Sequence, residues 1–417
     1  MRPISFRCWF FFLALSLAHA GFAQPALTWP EVRAKFEAAN PTLRAAQIGI
    51  DESKAQEVTA YLRPNPDVTG TIDQLDPFNG NPYRPLGLAL PLVSANYLHE
   101  RAHKRELRLE SAQKGTTVAV SQLADQQRNL LFTLRNAFVQ ALQAKAVLAV
   151  ARESLAYYDR LLAVSANRFQ AGDIARVDLD RLELQRVQFA SDVQTAETSV
   201  RTAKIQLLML IDDRTPVERF DVSGPFDFSE PIATLEELRQ VATAARPDLQ
   251  AAVQSVDKAR TDYKLAVANG STDPTFGVDF ARNPPIPLYV GFSVNIPLRI
   301  FDRNQGEKAR TELDIQRNQR LREAAEAQIS SDVDSAWTTL NGNLALLRPY
   351  KAKYLAQAAR VRETISIAYQ RGGASLLDFL NAQNDYRALQ VAYLNLVGSY
   401  LTAAAQLNLA VGREVIQ

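Results

Sequence analysis

Cysteine is almost absent from this chain, whose 417 residues include only Cys8. Cys8 lies in an N-terminal segment, 1–23, with the features of a secretion signal: the arginines of Met1–Arg7, the apolar run Trp9–Leu17 and the small-residue site Ala18-His19-Ala20. Removal of this signal peptide leaves a secreted chain with no cysteine. Disulfides, a thiol nucleophile and a lipid-modified cysteine are then excluded, and packing must stabilise the fold.

Other scarcities exclude further classes of protein. The net charge is only +2, so a nucleic-acid-binding surface is not expected. Beyond the signal, the sequence contains no run of 18 apolar residues and therefore no transmembrane helix. It also lacks a glycine-rich phosphate loop and a G-x-S-x-G motif. We expect neither an enzyme nor a cofactor, whereas membrane entry through β-strands remains open.

The chain contains two versions of one half. Ala39-Asn40-Pro41-Thr42-Leu43 is matched by Ala245-Arg246-Pro247-Asp248-Leu249, and Leu90-Pro91-Leu92 by Ile296-Pro297-Leu298, each 206 positions later. The segment that ends at Gly172 is matched, 200 positions later, by the segment that ends at Gly372. Repeats of this length are not solenoid units. We expect a first repeat over 24–211, an equatorial connector over 212–233 and a second repeat over 234–417.

Two heptad stripes predict long supercoiled helices. One stripe covers Leu179–Leu210 and the other Phe379–Ala410, with mainly apolar residues at 3,4 spacing. The stretches before them, about 95–168 and 305–369, contain one proline and predict helices of up to roughly 100 Å. Glycine tolerates the left-handed conformation that ends a helix. Each repeat should therefore contain a helical hairpin, with its tip near residue 172 or 372.

Alternating patterns predict two strands in each repeat, at about 66–74 and 85–93, and at about 273–282 and 287–297. In the last of these, Val290, Phe292 and Val294 alternate with Gly291 and Ser293. The lengths suit tilted strands that cross a bilayer. Four strands cannot close a barrel, and an open sheet edge cannot stand in lipid. Either several copies complete a barrel, two giving eight strands and three giving twelve, or helices cover the strands in water.

This duplicated order resembles the TolC-like family of outer-membrane efflux proteins over nearly the whole mature chain. The tip segments Arg168-Phe169-Gln170-Ala171-Gly172 and Tyr369-Gln370-Arg371-Gly372 carry the resemblance together with the order of elements. The stretch from Ile296 to Gly306 is similar to the CzcC-like branch, which is associated with heavy-metal cation efflux.

The resemblance implies a mainly α-helical fold with a small β-barrel contribution. Three copies would form a homotrimer with a 12-strand barrel in the outer membrane and a helical tunnel in the periplasm. The chain would be the passive exit channel of a tripartite efflux system. Its partners would be outer-membrane lipid, a periplasmic adaptor protein and an inner-membrane pump, most simply of the RND type.

The resemblance also suggests residues for the tips. The family places acidic and tyrosine residues at a tunnel constriction, and the matching candidates for a tunnel-entrance gate are Asp178, Asp378, Tyr369 and Asn381. Candidates for adaptor contact at the tips are Ala171, Gly172, Arg371, Gly372 and Gly373. The family has an acidic residue where this chain has Asn381 and a basic one at Ala374, so its ion pairs are not all reproduced. Rings of Asp178 and Asp378 would attract cations; alternatively, each aspartate only favours the first turn of its helix.

One motif points elsewhere. His99-Glu100-Arg101-Ala102-His103 matches H-E-x-x-H, in which two histidines one helical turn apart bind zinc. Placed on the surface of a long helix, with no third histidine after the signal, the pair predicts neither a metal site nor catalysis. A zinc protease is therefore a distant alternative. A channel for type I protein secretion and a water-soluble periplasmic coiled-coil scaffold are the others.

Overall fold

The computed structural model describes residues 26–416, apart from 76, 79–81, 83–85, 87–88, 231–232 and 284. The expected signal segment, 1–23, lies outside the described residues. Helices and strands of the first repeat are α1 (Trp29–Ala39), α2 (Pro41–Tyr61), β1 (Asp67–Asp73), β2 (Leu90–Leu98), α3 (Lys104–Gln170) and α4 (Arg176–Leu210). Those of the second are α5 (Leu235–Ala245), α6 (Pro247–Asn269), β3 (Thr275–Asn283), β4 (Ile286–Asn295), α7 (Gln305–Pro349), α8 (Leu355–Gln370) and α9 (Leu376–Val411).

Asn40 and Arg246, which precede the matching prolines Pro41 and Pro247, connect the beginning of each repeat to its end. Asn40 donates a hydrogen bond to the Leu210 carbonyl at 3.0 Å, and its side-chain oxygen caps α2. Arg246 donates to the Ala410 carbonyl at 3.3 Å. Both side chains are buried. The junction of the two short helices is therefore attached to the last turn of the return helix in both halves.

The long helices differ between the repeats. α3 is continuous over 67 residues, which corresponds to about 100 Å. Its counterpart consists of α7 and α8, separated by a π-helical turn at Tyr350–Tyr354 that follows Pro349. Proline lacks an amide hydrogen and disturbs the bonding of the preceding turn. The expected second helix, 305–369, is thus present with one local break.

Both long helices begin after residues with a left-handed backbone. Ala102 and His103 have φ of 58° and 56°, and Asn304 has φ of 61°. α3 therefore begins at Lys104 rather than near residue 95. His103 and Asn304 each immediately precede a long helix and therefore correspond to each other, at an offset of 201. The offset of 206 fails because Leu90-Pro91-Leu92 begins β2, whereas Ile296-Pro297-Leu298 follows β4. The alignment at a constant 206 positions, which placed His103 opposite Ala309, was wrong at this point.

The four strands form one antiparallel sheet in the order β1-β2-β3-β4. The pairs Ala95–Val278 and Val278–Phe292 place these residues on one face of the sheet, while Ser94 and Asp279 lie on the other. The first face is almost entirely apolar; the second carries threonine, serine, asparagine, aspartate and glycine together with a few apolar residues. β1 and β4 are edge strands with one partner each.

The second strand lies later in the chain than the expected 85–93. β2 covers Leu90–Leu98, while Leu86 is in a turn and residues 83–85 and 87–88 are outside the described part. Its register is fixed by pairing with β1 on one side and β3 on the other. Consequently Val93 lies on the apolar face, and Leu90 lies on the opposite face.

The long helices form a wall. α3 packs against both α4 and α9, and α9 packs in turn against α7 and α8. The residues of the two heptad stripes are buried or half-buried in these contacts, as expected from their spacing. Within the described residues, none of the helices combines the length and hydropathy that crossing a bilayer would require.

The connector lies against the middle of the wall. Val222 forms a parallel bridge with Leu27. Lys145 of α3 donates to both carboxylate oxygens of Asp221, at 2.9 and 2.8 Å, and Lys351 of the π-turn contacts Asp227 at 2.5 Å. Residues 212–230 of the connector are thus attached to helices of both repeats.

Candidate functional site at the hairpin tips

The two hairpin tips have the same backbone construction. Gly172 and Gly372 adopt φ of 84° and 79°. In the residue after each glycine, the N–H donates back to the preceding helix, from Asp173 to Arg168 at 2.9 Å and from Gly373 to Ala368 at 2.8 Å. This is the bonding of a Schellman motif, which glycine permits without strain. The expected adaptor-contact residues are all exposed here: Ala171, Gly172, Arg371, Gly372 and Gly373.

Asp378 caps the helix that it begins. Its carboxylate accepts from the Ser375 hydroxyl at 2.7 Å and from the Ser375 N–H at 3.2 Å, while the Ser375 oxygen accepts from the Asp378 N–H at 3.1 Å. This reciprocal arrangement satisfies two amides at the start of α9. Asp378 thus has a structural role, whether or not it also forms part of a ring.

Asp178 occupies the matching place in the first turn of α4 without such a partner. The preceding N-cap residue is Ala175, which has no side-chain acceptor. Asp178 is half-buried, and its carboxylate contributes to raising the pKa of Tyr369. Asp178 is therefore within electrostatic range of Tyr369, whereas Asn381 is exposed on α9.

Tyr369 lies between the two hairpins. Its ring stacks on that of Phe379, with 5.0 Å between the centroids, and the Arg168 guanidinium is 5.8 Å from its centroid. Burial is the main cause that raises the pKa of the Tyr369 hydroxyl; Ser165 hydrogen-bonds this hydroxyl and acts in the opposite direction. Tyr369 is therefore neutral over the physiological range and connects the tips by packing and hydrogen bonding.

Tyr158 of α3 was not predicted as a tip residue. It is only 1% exposed, and its ring lies 4.7 Å from that of Phe189. Its hydroxyl has no hydrogen-bond partner in the part of the chain that the structure describes. Burial strongly raises the pKa of this hydroxyl, and the neighbouring Tyr369 contributes in the same direction.

A polar network adjoins this aromatic cluster and was also missed. The hydroxyls of Tyr157 and Ser366 are 3.1 Å apart, and Gln383 donates to Ser366 at 3.1 Å. An ion pair joins Arg387 of α9 to Asp192 of α4. The heptad stripes predicted burial on α4 and α9 but carried no signal for the polar partners on α3 and α8.

The H-E-x-x-H residues do not lie on a helix. They precede α3, and His103 is an exposed left-handed residue, so the expected placement on the helix surface was wrong. The carboxylate of Glu100 is engaged by both terminal nitrogens of Arg108, one of them at 2.8 Å. Among the described residues, no group of three histidine, cysteine, aspartate or glutamate side chains could hold a metal ion.

The sheet is the second surface of functional interest. Along its apolar face, Phe292 is 83% exposed, Val68 74% and Val294 58%, while Phe276 and Phe280 are about half exposed. No described element packs on this face to cover these side chains. An apolar patch of this size marks an interaction with a membrane or another protein.

Comparisons with known proteins agree with this geometry. The profile of the family described as outer membrane efflux protein matches residues 286–413. The cobalt-zinc-cadmium resistance protein CzcC of Cupriavidus metallidurans is 24% identical over 384 residues, which cover 90% of this chain and 87% of that protein. The outer membrane efflux protein BepC of Brucella suis is 21% identical over 404 residues, covering 90% and 83%.

Solved structures share the fold. The outer membrane protein VceC of Vibrio cholerae superposes with a TM-score of 0.75 at 15% identity, covering 93% of this chain and 96% of that one. The mainly helical fold with a small antiparallel sheet and the resemblance predicted from the repeats are both confirmed. The chain is similar to the outer membrane efflux proteins of the TolC-like family.

Proposed function

We propose that three copies of this chain form the outer-membrane exit channel of a tripartite efflux system. The observation that carries this proposal is the sheet, which combines an uncovered apolar face, a largely polar opposite face and two open edges. Those edges must be paired before the sheet can stand in lipid. β1 and β4 run in opposite directions, so β4 of one copy can pair with β1 of the next and keep the sheet antiparallel.

The helical wall supports the same assembly. Its two lateral edges are α4 and the α7–α8 helix, and both expose apolar residues. Leu184 is 73% and Val187 65% exposed on α4, and Val361 and Ile367 are exposed on α8. Contact between α4 of one copy and α8 of the next would bury these side chains. Twelve strands would then continue into twelve helical rods around one tunnel.

In this assembly the tips would form the periplasmic entrance. The exposed reversals at Gly172 and Gly372 would meet an adaptor protein, and an inner-membrane pump would supply the energy. Asp178 and Tyr369 are the gate residues that we favour, because the Asp178 carboxylate acts electrostatically on the Tyr369 hydroxyl. The channel would be passive and without catalytic activity.

Within this proposal, metal cations are the preferred class of substrate. Its support is the CzcC relative, whose name refers to cobalt, zinc and cadmium, together with the similarity of Ile296–Gly306. Deleting this chain should then lower the tolerance of cells to these cations. Impaired secretion of a protein, with unchanged metal tolerance, would instead favour the type I secretion channel.

The direct test of the assembly is the copy number of the purified protein. Membranes are fractionated, the protein is extracted with detergent, and the particle mass is measured with the detergent contribution removed. We expect three copies in the outer-membrane fraction. A monomer released by salt or osmotic shock alone would refute the channel and favour the periplasmic scaffold.

A further inference from the structure

A cavity of about 410 Å³ lies at the middle of the wall, between α1, α3, α9 and the C-terminal tail. Its lining combines the aromatic ring of Trp29 with four arginines, of which Arg128 and Arg135 are on α3, and a single carboxylate, that of Glu414. It lies where α3 meets α9, away from the edges α4 and α8. The assembly proposed above would therefore leave it accessible.

The wall of this cavity on the tail side is held in place by specific bonds. Gly412 ends α9 with φ of 84°. The side-chain oxygen of Asn408 then accepts from the N–H groups of Val415 and Ile416, at 2.8 and 3.0 Å, and its amide donates to the Ile416 carbonyl at 2.6 Å. These three bonds hold the tail against the last turn of α9, so this side of the cavity has a defined structure.

Arg135 is the unusual group in this cavity. Its guanidinium lies over the Trp29 ring, 4.6 Å from the centroid, and 6.0 Å from that of Phe138. Among the described residues it has neither an ion pair nor a hydrogen bond. Burial lowers its pKa, and Glu414 only partly offsets this effect. A stacked guanidinium still has its N–H groups directed outward in its own plane.

Of the other three arginines at the cavity, Arg413 is exposed and two are already paired. Arg128 contacts the Asp125 carboxylate at 2.5 Å and donates to the Leu409 carbonyl. Arg33 pairs with Glu37 at 2.9 Å and with Glu414 at 3.6 Å. The cavity therefore has one half-buried cation without a counter-charge, beside an aromatic ring.

We propose that this cavity binds a small oxyanion, a carboxylate or a phosphate, through the in-plane N–H groups of Arg135. The planar fork of arginine matches both groups with two parallel hydrogen bonds. The Trp29 ring holds the fork in one orientation, so little side-chain freedom is lost on binding. This site is independent of the proposed transport function, since it involves neither the tips nor the sheet.

Trp29 provides a direct optical test, because Trp29 and Trp337 are the tryptophans among the described residues. With Trp337→Phe as the background, the detergent-solubilised full chain is titrated with inorganic phosphate and, separately, with acetate. Ionic strength is held constant with chloride. We expect a saturable change in Trp29 fluorescence with phosphate or acetate and none with chloride alone.

The Arg135→Gln variant should bind about 10- to 100-fold more weakly, as expected for loss of a charge-assisted contact. Arg152→Gln is the matched control, since Arg152 is on the same helix but is exposed and paired with Glu197 at 2.7 Å. If Arg135→Gln fails to fold, Arg135→Lys keeps the charge without the fork and should weaken binding. An equal response to chloride, no saturable response in the parent, or unchanged binding in the Arg135 variant would each overturn the proposal.

Discussion

Arg246 connects three elements at one buried position. Its guanidinium contacts both oxygens of Asp248, at 3.0 and 2.6 Å, and Asp332 of α7 at 2.7 Å. The side chain is only 5% exposed. Removing one member of a buried ionic group leaves the other charges without compensation, which costs far more than the loss of a surface pair.

We therefore expect Arg246→Met to destabilise the protein by about 3–5 kcal/mol. The matched control is Arg239→Met, which removes the pair with Asp334 at 2.7 Å, both side chains being about 40% exposed. Its effect should be about 1 kcal/mol or less. Thermal unfolding of both variants is the measurement, and similar melting temperatures for the two would contradict this ranking.

Asp213 of the connector should make the stability of the protein depend on pH. Bonds from the Thr215 hydroxyl and the Lys35 ammonium lower the pKa of Asp213 to about 2. A carboxylate whose pKa is lower in the folded state stabilises that state above the unfolded pKa and loses this effect as pH falls. Asp213→Asn should therefore lower the melting temperature near neutral pH, and the difference from the parent should shrink between about pH 4 and pH 2. A difference independent of pH would disprove this assignment; Asp51→Asn, an exposed site, controls for charge loss.

The third prediction separates two roles of Asp378. In planar bilayers, Asp378→Asn should reduce both cation selectivity and block by divalent cations if three such carboxylates surround the entrance. Ser375→Ala keeps the carboxylate but removes the cap, so it should lower stability by about 1 kcal/mol without changing selectivity. If Asp378→Asn leaves both the cation selectivity and the block by divalent cations unchanged, its only role is in the cap.

Some residues of the tips and of the cavity could be identified from the sequence, and others could not. Asp178 and Tyr369 could be found because the repeats place them at matching distances from the tip glycines. Tyr158 and Arg135 could not be found, since their chemistry depends on partners from other helices. Nothing in the sequence near Arg135 indicates that its neighbours are already paired or that Trp29 packs on it.

At the scale of elements, the tips offer a comparison between adjacent glycines. Gly372 has φ of 79°, whereas Gly373 does not have a positive φ, and a Cβ there would meet the Ala368 oxygen at an ordinary 3.6 Å. Gly372→Ala should cost about 1–2 kcal/mol because of its left-handed backbone. Gly373→Ala should be close to neutral. Thermal unfolding and limited proteolysis at the tip are the measurements, and equal effects of the two changes would refute the argument.

The elements themselves were predictable to different degrees. The heptad stripes and tip glycines located the long helices, because a sustained 3,4 pattern has few other interpretations. The second strand was predicted too early in the chain. Leu86, Leu88 and Leu90 alternate with small residues just as regularly as the residues that form the strand. The bounds of β2 depend on its pairing with β1 and β3, and β3 is far away in the sequence. The start of α3 was missed because left-handed Ala102 and His103 carry no turn signature.

At the scale of the whole molecule, the faces of the sheet lead to a matched pair of substitutions. Phe292→Lys places a charge on the exposed apolar face, where lysine facing lipid costs about 2–4 kcal/mol per copy near the bilayer centre. Ser293→Lys places the same charge on the opposite face. We expect the first variant to be lost from the outer-membrane fraction and the second to remain. Equal recovery of both would mean that the apolar face does not contact lipid.

Duplication made the whole molecule more predictable than its details. It implied two hairpins, two pairs of strands and a pseudo-symmetric wall before any contact was known. It did not reveal the π-turn at Tyr350–Tyr354, which only one half contains and which faces Asp227 of the connector. The turn follows Pro349, and α3 contains no proline.

An even number of strands in each copy has a consequence for ring size. Because β1 and β4 run in opposite directions, each added subunit would offer the next one the same two edge strands. Parity therefore permits two, three or four subunits equally. In the proposed channel, the stoichiometry would then depend on the angle at which neighbouring helical rods meet, so substitutions that alter it would belong on α4 and α8 rather than on the strands.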